Sequence, residues 1–418
     1  METPTTTTTT APSVDWFDLF APAFHLDPYP FYHRLRNEDP VHWGMSFEPG
    51  IAGMWHIARH ADIMRILKDQ RFVHRLPDDD RTASQAALPD AVQLYLSLTS
   101  QSLLFADPPA HTRLRNLVSS AFTPRQIEKL RPRVQAVADE LLDAADAQGQ
   151  LDVINDYALP LTTTIISEML GVRVDSREQL IRWARVLVQA LDCKQSPEIY
   201  LAASQVALEI YPFFQQIIEE RRQALRDDIL SGLIQAQDQR DQLSEPELIV
   251  TLTTLFIAGH ETTVNLIGNG MLALMRFPDQ FALLCAQPDL MPSAVEEFLR
   301  YDASSQMTSR VASEDIEVSG KVIQRGQTLN LLLSSGNHDP DVFPDPERLD
   351  ITRRENRHLT FGMGMHYCLG APLARLEGQV AIQSLLRRHP HLRMLDETPQ
   401  WRDTISFRGL QRLPLAFV

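Results

Sequence analysis

The chain has 418 residues, 44% of them hydrophobic and 22% charged, the balance of an ordinary soluble protein with a large core. Its formal net charge of −15 argues against nucleic acid as a partner. The three cysteines, Cys193, Cys285 and Cys368, are far apart and odd in number, so they make no disulfide framework and suit a reducing cytoplasm.

The sequence opens on METPTTTTTTAPS, a polar Thr-rich stretch expected to be a disordered tail over 1–14, ahead of one large domain at 15–418. It lacks a basic start followed by an apolar run, so it reads as neither signal peptide nor anchor. The first hundred residues mix short helices with strand-like runs such as VHWGM and GMWHIA. RLPDDDRTASQAALPD (75–90) reads as an exposed loop. Helical periodicity dominates from 111 to 300. Residues 111–133 carry five arginines and one lysine against a single acid, Glu128. That stretch is either a solvated helix face or a docking surface for an anionic group or an acidic protein.

Ser176 with Gln179, and Ser244 with Glu247, have capping-box spacing ahead of helical runs. The second pair opens the helix that carries LIVTLTTLFIAGHETTVNLIGNGMLALM. Its most apolar run, 248–259, is too short and too rich in threonine to span a bilayer, and reads as a buried core helix. Pro292 then starts the helix PSAVEEFLRYD. Beyond 300 the texture changes. RVASEDIEVSGKVIQRGQTLNLLL alternates and turns on Gly320 and Gly326, as short antiparallel strands do. HDPDVFPDPERLD must be irregular, a helix follows Cys368 to Arg388, and RDTISFRGLQRLPLAFV reads as a closing strand pair. The expected fold class is mainly α with a small, late β part.

Cys368 sits in FGMGMHYCLGAPLARLE, between Gly364 and Gly370. Glycines on both sides let the backbone approach a flat object closely. A helix starting near Ala371 would aim its positive end at the sulfur and stabilise a thiolate. A lone cysteine is by default a buried, inert thiol. As a ligand it has no CxxC partner and no His pair, so a closed zinc site is excluded, and a metal held mainly by something else, haem, is left. FGMGMHYCLG resembles the cysteine-loop signature of the cytochrome P450 family, Phe-Gly-x-Gly-x-His-x-Cys-x-Gly, at every fixed position. The resemblance implies the cytochrome P450 fold as a single large domain enclosing haem b. It implies that Cys368 is the axial thiolate ligand of the haem iron, with Phe361 and Gly362 on its proximal side and His366 on a propionate.

In AGHETT, glycine mid-helix costs about 1 kcal/mol relative to alanine, which calls for compensation. The Thr262 hydroxyl, four residues after Ala258, can reach the Ala258 carbonyl and open the helix into a groove. From these six residues alone, a threonine back-bonded in a packed helix is the favoured reading. The segment is similar to the family's Ala/Gly-Gly-x-Asp/Glu-Thr at Ala258, Gly259, Glu261 and Thr262. The resemblance implies that Glu261 and Thr262 are catalytic, delivering protons for O–O scission, and it disfavours the peroxygenase branch. Glu297 and Arg300 lie three apart on one helix face, where an exposed pair contributes only a few tenths of a kcal/mol. The resemblance makes them a buried structural ion pair joined by Arg348. It also places His111 and Arg115 (FADPPAHTRLR) and Arg310 (SRVASED) on the propionates.

A substrate pocket is implied around Leu255, Gln306, Met307, Ile405, Ser406 and Phe407, with parts of 80–100 and 185–200. A ferredoxin-docking face is implied by 111–133 with Arg375, Arg387 and Arg388. Together these describe a cytoplasmic, monomeric monooxygenase with no membrane or nucleic-acid partner. It would hydroxylate or epoxidise a lipophilic small molecule with O2 and two electrons from ferredoxin and ferredoxin reductase. The competing readings are a peroxide-driven or isomerising P450 and a non-catalytic haem sensor. Turnover with peroxide, or with reducing partners, separates them.

Overall fold

The computed structural model describes residues 17–418 apart from 48–50, 52, 77–89, 174–175, 195, 227 and 241–242. The expected tail at 1–14 and most of the loop at 75–90 lie outside the described residues.

The element around which the others are arranged is the 32-residue helix Glu245–Arg276. Its start was legible: the Ser244 side chain accepts from the Glu247 amide, and the Glu247 side chain accepts from the Ser244 amide. Every residue from Thr263 to Leu274 is buried, as expected of a helix that is apolar on all sides. Helices Leu159–Met169, Arg177–Leu191, Met291–Tyr301 and Ala371–Arg388 pack against it. Gly270 permits the closest of these approaches, since a Cβ there would lie 2.9 Å from the Phe298 ring and 3.3 Å from Ile382. The other expected capping box fails. Ser176 sits in helical conformation, φ −93° and ψ −2°, and its side chain makes no cap bond.

Strands appear where the alternation placed them, and the Val318–Lys321 hairpin turns on Ser319 and Gly320, both at positive φ. The main sheet, however, is not confined to the late part of the chain. Three of its five strands come from the first 73 residues, Val41–Gly44, Met54–Ile57 and Phe72–Val73. Met54–Ile57 runs parallel to Thr328–Leu331, with Ile57 opposite Leu331. Thr308–Ala312 pairs antiparallel with Thr328–Leu331 on one side and with Phe72–Val73 on the other, Val73 opposite Val311. The chain end divides between two sheets. Leu410–Arg412 pairs with Gln400–Trp401, while Pro414–Phe417 lies between Gln150–Asp152 and Leu392–Met394. Among the described residues no helix is long and apolar enough to cross a membrane.

Candidate active site

The cysteine loop enters from the irregular segment after Asn337 and ends in the helix Ala371–Arg388. Two of its glycines are required where they stand. Gly362 and Gly364 have φ of +65° and +69°, and a Cβ on Gly364 would lie 2.6 Å from the Leu67 carbonyl oxygen. The Cys368 amide donates to the Phe361 carbonyl at 2.8 Å, which closes the loop. Cys368 as a residue is half-buried. Burial pushes its pKa up, and the amides of Gly370 and Ala371 with the Arg115 and Arg375 guanidiniums oppose that rise. Arg375 lies 4.7 Å over the Phe361 ring and binds Glu296 at 2.6 Å, while Tyr367 accepts from its Nη1.

A group of basic side chains gathers beside this loop from four segments. The His366 ring centroid lies 4.2 Å from that of His111 and 4.5 Å from that of His74. Arg310 is buried, and Arg115 is within electrostatic reach of His366 and Cys368. Burial, reinforced by the positive charge of Arg310, pushes His366 down to about 3 and His74 down to about 2. No carboxylate makes a salt bridge with Arg115 or Arg310 among the described residues. Arg310 spends its Nη1 on the Ser309 carbonyl at 2.6 Å. A cavity of about 270 Å³, lined by Leu67, Lys68, Phe72, Arg310, Gly364 and His366 among others, opens here. His74 was not singled out from the sequence, where a lone histidine before a long loop carries no pattern.

In the central helix, the Thr262 hydroxyl donates to the Ala258 carbonyl at 2.8 Å, as its spacing suggested. Ala258 is exposed and Gly259 and Thr262 are partly so, in the middle of a helix that is fully buried from Thr263 to Leu274. Glu261 does not share this open face. It is buried and forms a salt bridge with Arg402 of the C-terminal hairpin, and its Oε2 is buried without a partner.

The ion pair is buried, with one correction. Glu297 and Arg300 have no exposed side-chain surface and meet at 2.8 Å. The third member is Arg353, whose Nε lies 3.1 Å from Glu297, and Asn356 adds a hydrogen bond at 3.0 Å. The Arg348 side chain is 59% exposed, beside Asp279 at 3.7 Å, and only its carbonyl accepts from Arg300. The segment turns after Asp345, which has φ +50°, and that carries Arg348 outward and brings Arg353 back.

The pocket candidates divide. Gln306 is buried, donating to the Ala303 carbonyl at 2.7 Å and accepting from the Tyr32 hydroxyl at 3.3 Å. Met307 and Ile405 pack into an apolar cluster with Phe17, Phe24, Tyr32 and Cys193. Ser406 Oγ accepts from the Cys193 amide at 3.1 Å. These four side chains are committed to that N-terminal layer, which leaves Leu255 and the half-buried Phe407.

The model of the family described as Cytochrome P450 matches residues 64–284 and 285–407. The chain belongs to the cytochrome P450 family. It is 40% identical to a biotin biosynthesis cytochrome P450 of Bacillus subtilis over 398 residues, 94% of this chain and 97% of that protein. It is 38% identical over 417 residues to the cytochrome P450 monooxygenase PikC of Streptomyces venezuelae, 98% of this chain and 95% of that one. The structure of P450BioI in complex with a hexadec-9Z-enoic acid ligated acyl carrier protein superposes with a TM-score of 0.87 at 38% identity, covering 94% of this chain and 99% of that one. The protein is thus a P450 monooxygenase with haem b as its cofactor. The residues fit that group. A single cysteine sulfur receives two backbone amides, and a cluster of histidines and arginines without salt-bridged carboxylates among the described residues suits the two propionates.

Proposed function

We propose that this P450 hydroxylates or epoxidises a lipophilic molecule built on an aliphatic acyl chain, in the cytoplasm, with two electrons from a ferredoxin and its reductase. The observation that carries the reading is Cys368, half-buried beneath the Gly370 and Ala371 amides at the start of its helix. Haem bound there supplies dioxygen activation, one oxygen atom going to the substrate and the other leaving as water.

The chain's own residues bind and supply protons. Cys368 is the thiolate ligand, with Phe361 and Gly362 shaping the loop around it. His111, Arg115, Arg310 and His366 bind the propionates. Ala258 and Gly259 border the open face of the central helix. Thr262 keeps its hydroxyl hydrogen on the Ala258 carbonyl, which leaves the oxygen free to accept a hydrogen bond on that face. Glu261, with Oε1 on Arg402 and Oε2 unpaired, is the acid that can take up a proton from the hairpin side.

The acyl-chain class is supported by two neighbours, P450BioI with its acyl carrier protein and CYP267B1 in complex with myristic acid, the latter with a TM-score of 0.85 at 39% identity. Leu255 and Phe407 offer it an apolar wall. For the electron donor, half of the basic segment is already paired: Arg113 with Glu247, Arg131 with Glu128, Arg133 with Glu168. Arg125 and Lys129 are exposed and form the better docking point for an acidic ferredoxin.

The test is a titration of the haem-loaded protein, after its reduced carbon-monoxide spectrum has established thiolate ligation. Free fatty acids, acyl carrier protein conjugates, macrolides, terpenoids and steroids are scored for a low-to-high-spin shift. A saturable shift with acyl chains, followed by their oxidation with ferredoxin and reductase, is expected. A shift confined to steroids or terpenoids overturns the substrate class.

A further inference from the structure

His74 follows the two-residue edge strand Phe72–Val73 of the main sheet. The register ends at Val73 opposite Val311, and Arg310, the next residue along the partner strand, lies within electrostatic reach of His74. Its main chain is fixed independently of its ring. Asp107 accepts from the His74 amide at 3.1 and 3.0 Å through its two oxygens, and from the Arg75 amide at 3.0 Å. That carboxylate is therefore spent on backbone and does not pair with the imidazole. The ring stands edge-on to His366 with centroids 4.5 Å apart and is backed by Phe105 at 5.8 Å. Its Nε2 is sealed from solvent and has no hydrogen-bond partner among the described residues, and the same is true of His111 Nε2, whose ring also packs against His366.

A buried imidazole nitrogen without a partner is costly, and two of them flanking a third histidine are not explained by packing. Among the described residues no group of three His, Cys, Asp or Glu side chains is arranged to hold a metal ion. Among the described residues the one carboxylate within electrostatic reach of Arg310 and His111 is Asp107, whose bonds go to main-chain amides, so the ring nitrogens still lack an acceptor, and haem carries two carboxylates.

We propose that His74 is a haem-binding residue of this P450, its ring Nε2 donating to a propionate alongside His366 and His111. The proposal rests on the propionate reading of His111, Arg115, Arg310 and His366. Asp107 is then a positioning residue: its bonds to the two main-chain amides hold the histidine where the sheet edge meets the cysteine loop.

The experiment measures haem release to an excess of apomyoglobin, for the parent, His74→Phe, His74→Gln and Arg310→Leu. Each protein is reconstituted once with haem and once with haem dimethyl ester, whose blocked propionates carry no charge. With haem, His74→Phe should release about ten- to a hundredfold faster than the parent, the range for losing a hydrogen bond to a charged group, and the Gln amide should restore part of the difference. With the ester, the parent and His74→Phe should release at the same rate. A difference that persists with the ester overturns the proposal, since it would then come from packing, and so does an unchanged rate with haem. A Phe variant that takes up the ester but not haem supports it, and one that takes up neither overturns it. Arg310→Leu separates the two readings. If its effect survives esterification, the propionate reading itself fails. If its effect vanishes while that of His74→Phe persists, only the assignment of His74 fails.

Discussion

The Glu261 carboxylate is held by the Arg402 guanidinium, which joins the middle of the central helix to the C-terminal hairpin. Arg402 is itself pinned, because its Nε donates to the Leu410 carbonyl at 3.1 Å. The acid thus has one oxygen anchored and the other buried without a partner. Glu261→Gln should lower product formation by about a hundredfold, the low end for losing a positioned proton donor, with substrate binding little changed. Arg402→Leu should cost about 3 kcal/mol in stability, because it strands a buried carboxylate. Product rates with ferredoxin and reductase, and urea unfolding, check the two effects. Equal kcat for Glu261→Gln and the parent would remove Glu261 from the proton path.

Thr262 is expected to govern coupling rather than binding. Its hydroxyl bonds to the Ala258 carbonyl on the open face, and alanine there removes the only hydroxyl that residues 258–262 contribute. In Thr262→Ala, NAD(P)H consumption should continue at a comparable rate while product per electron pair falls several-fold and peroxide release rises. Product and peroxide are measured against NAD(P)H consumed. Coupling that stays intact would show that this threonine serves only to shape the helix.

Local chemistry made much of this site readable from the sequence. The cysteine loop is a run of ten residues whose glycines, histidine and cysteine are all needed within one turn of chain. Thr262 and Ala258 lie one helical turn apart, and Ser244 and Glu247 satisfy each other across three residues. What escaped is what the tertiary structure brings together. Arg353 lies in ITRRENR, an aperiodic stretch where several arginines stand equally close to Arg348, and only the path of the chain selects one. His74 and Arg402 meet His366 and Glu261 because an edge strand and a hairpin deliver them to residues far away in the chain. The same holds for the main sheet, whose parallel pairing of Met54–Ile57 with Thr328–Leu331 has no local signature. Met307 and Ile405 read as pocket residues until the N-terminal layer provided a competing apolar surface.

The replacement of Arg348 by Arg353 in the ion-pair group predicts a sharp asymmetry. Arg353 is 10% exposed and lies 3.1 Å from a carboxylate with no exposed surface, whereas Arg348 is 59% exposed. Arg353→Leu should destabilise the protein by about 2–4 kcal/mol, because Glu297 loses part of its buried counter-charge. Arg348→Leu should stay within about 0.5 kcal/mol of the parent, as surface pairs do. Urea unfolding of the two holoproteins decides the matter, and equal losses would sink the assignment.

Glu296 gives the cysteine loop a defined sensitivity to acid. Burial alone would raise its pKa, but hydrogen bonds from Arg375 and His358 outweigh that and hold it at about 2, against an ordinary 4.5. Arg375 in turn covers the Phe361 ring and binds Tyr367, so the carboxylate braces the segment that presents Cys368. Because the folded-state pKa lies below the free value, the stabilisation is fully present above about pH 4.5 and is lost as the pH falls toward 2. Glu296→Gln should therefore cost on the order of 2–3 kcal/mol at pH 7. The gap between the variant and the parent should then close as the pH is lowered through that window. Unfolding followed at successive pH values measures the gap, and the reduced carbon-monoxide spectrum reports whether thiolate ligation fails first in the variant. A gap that stays constant down to pH 3 would mean that Glu296 acts through packing and not through its charge.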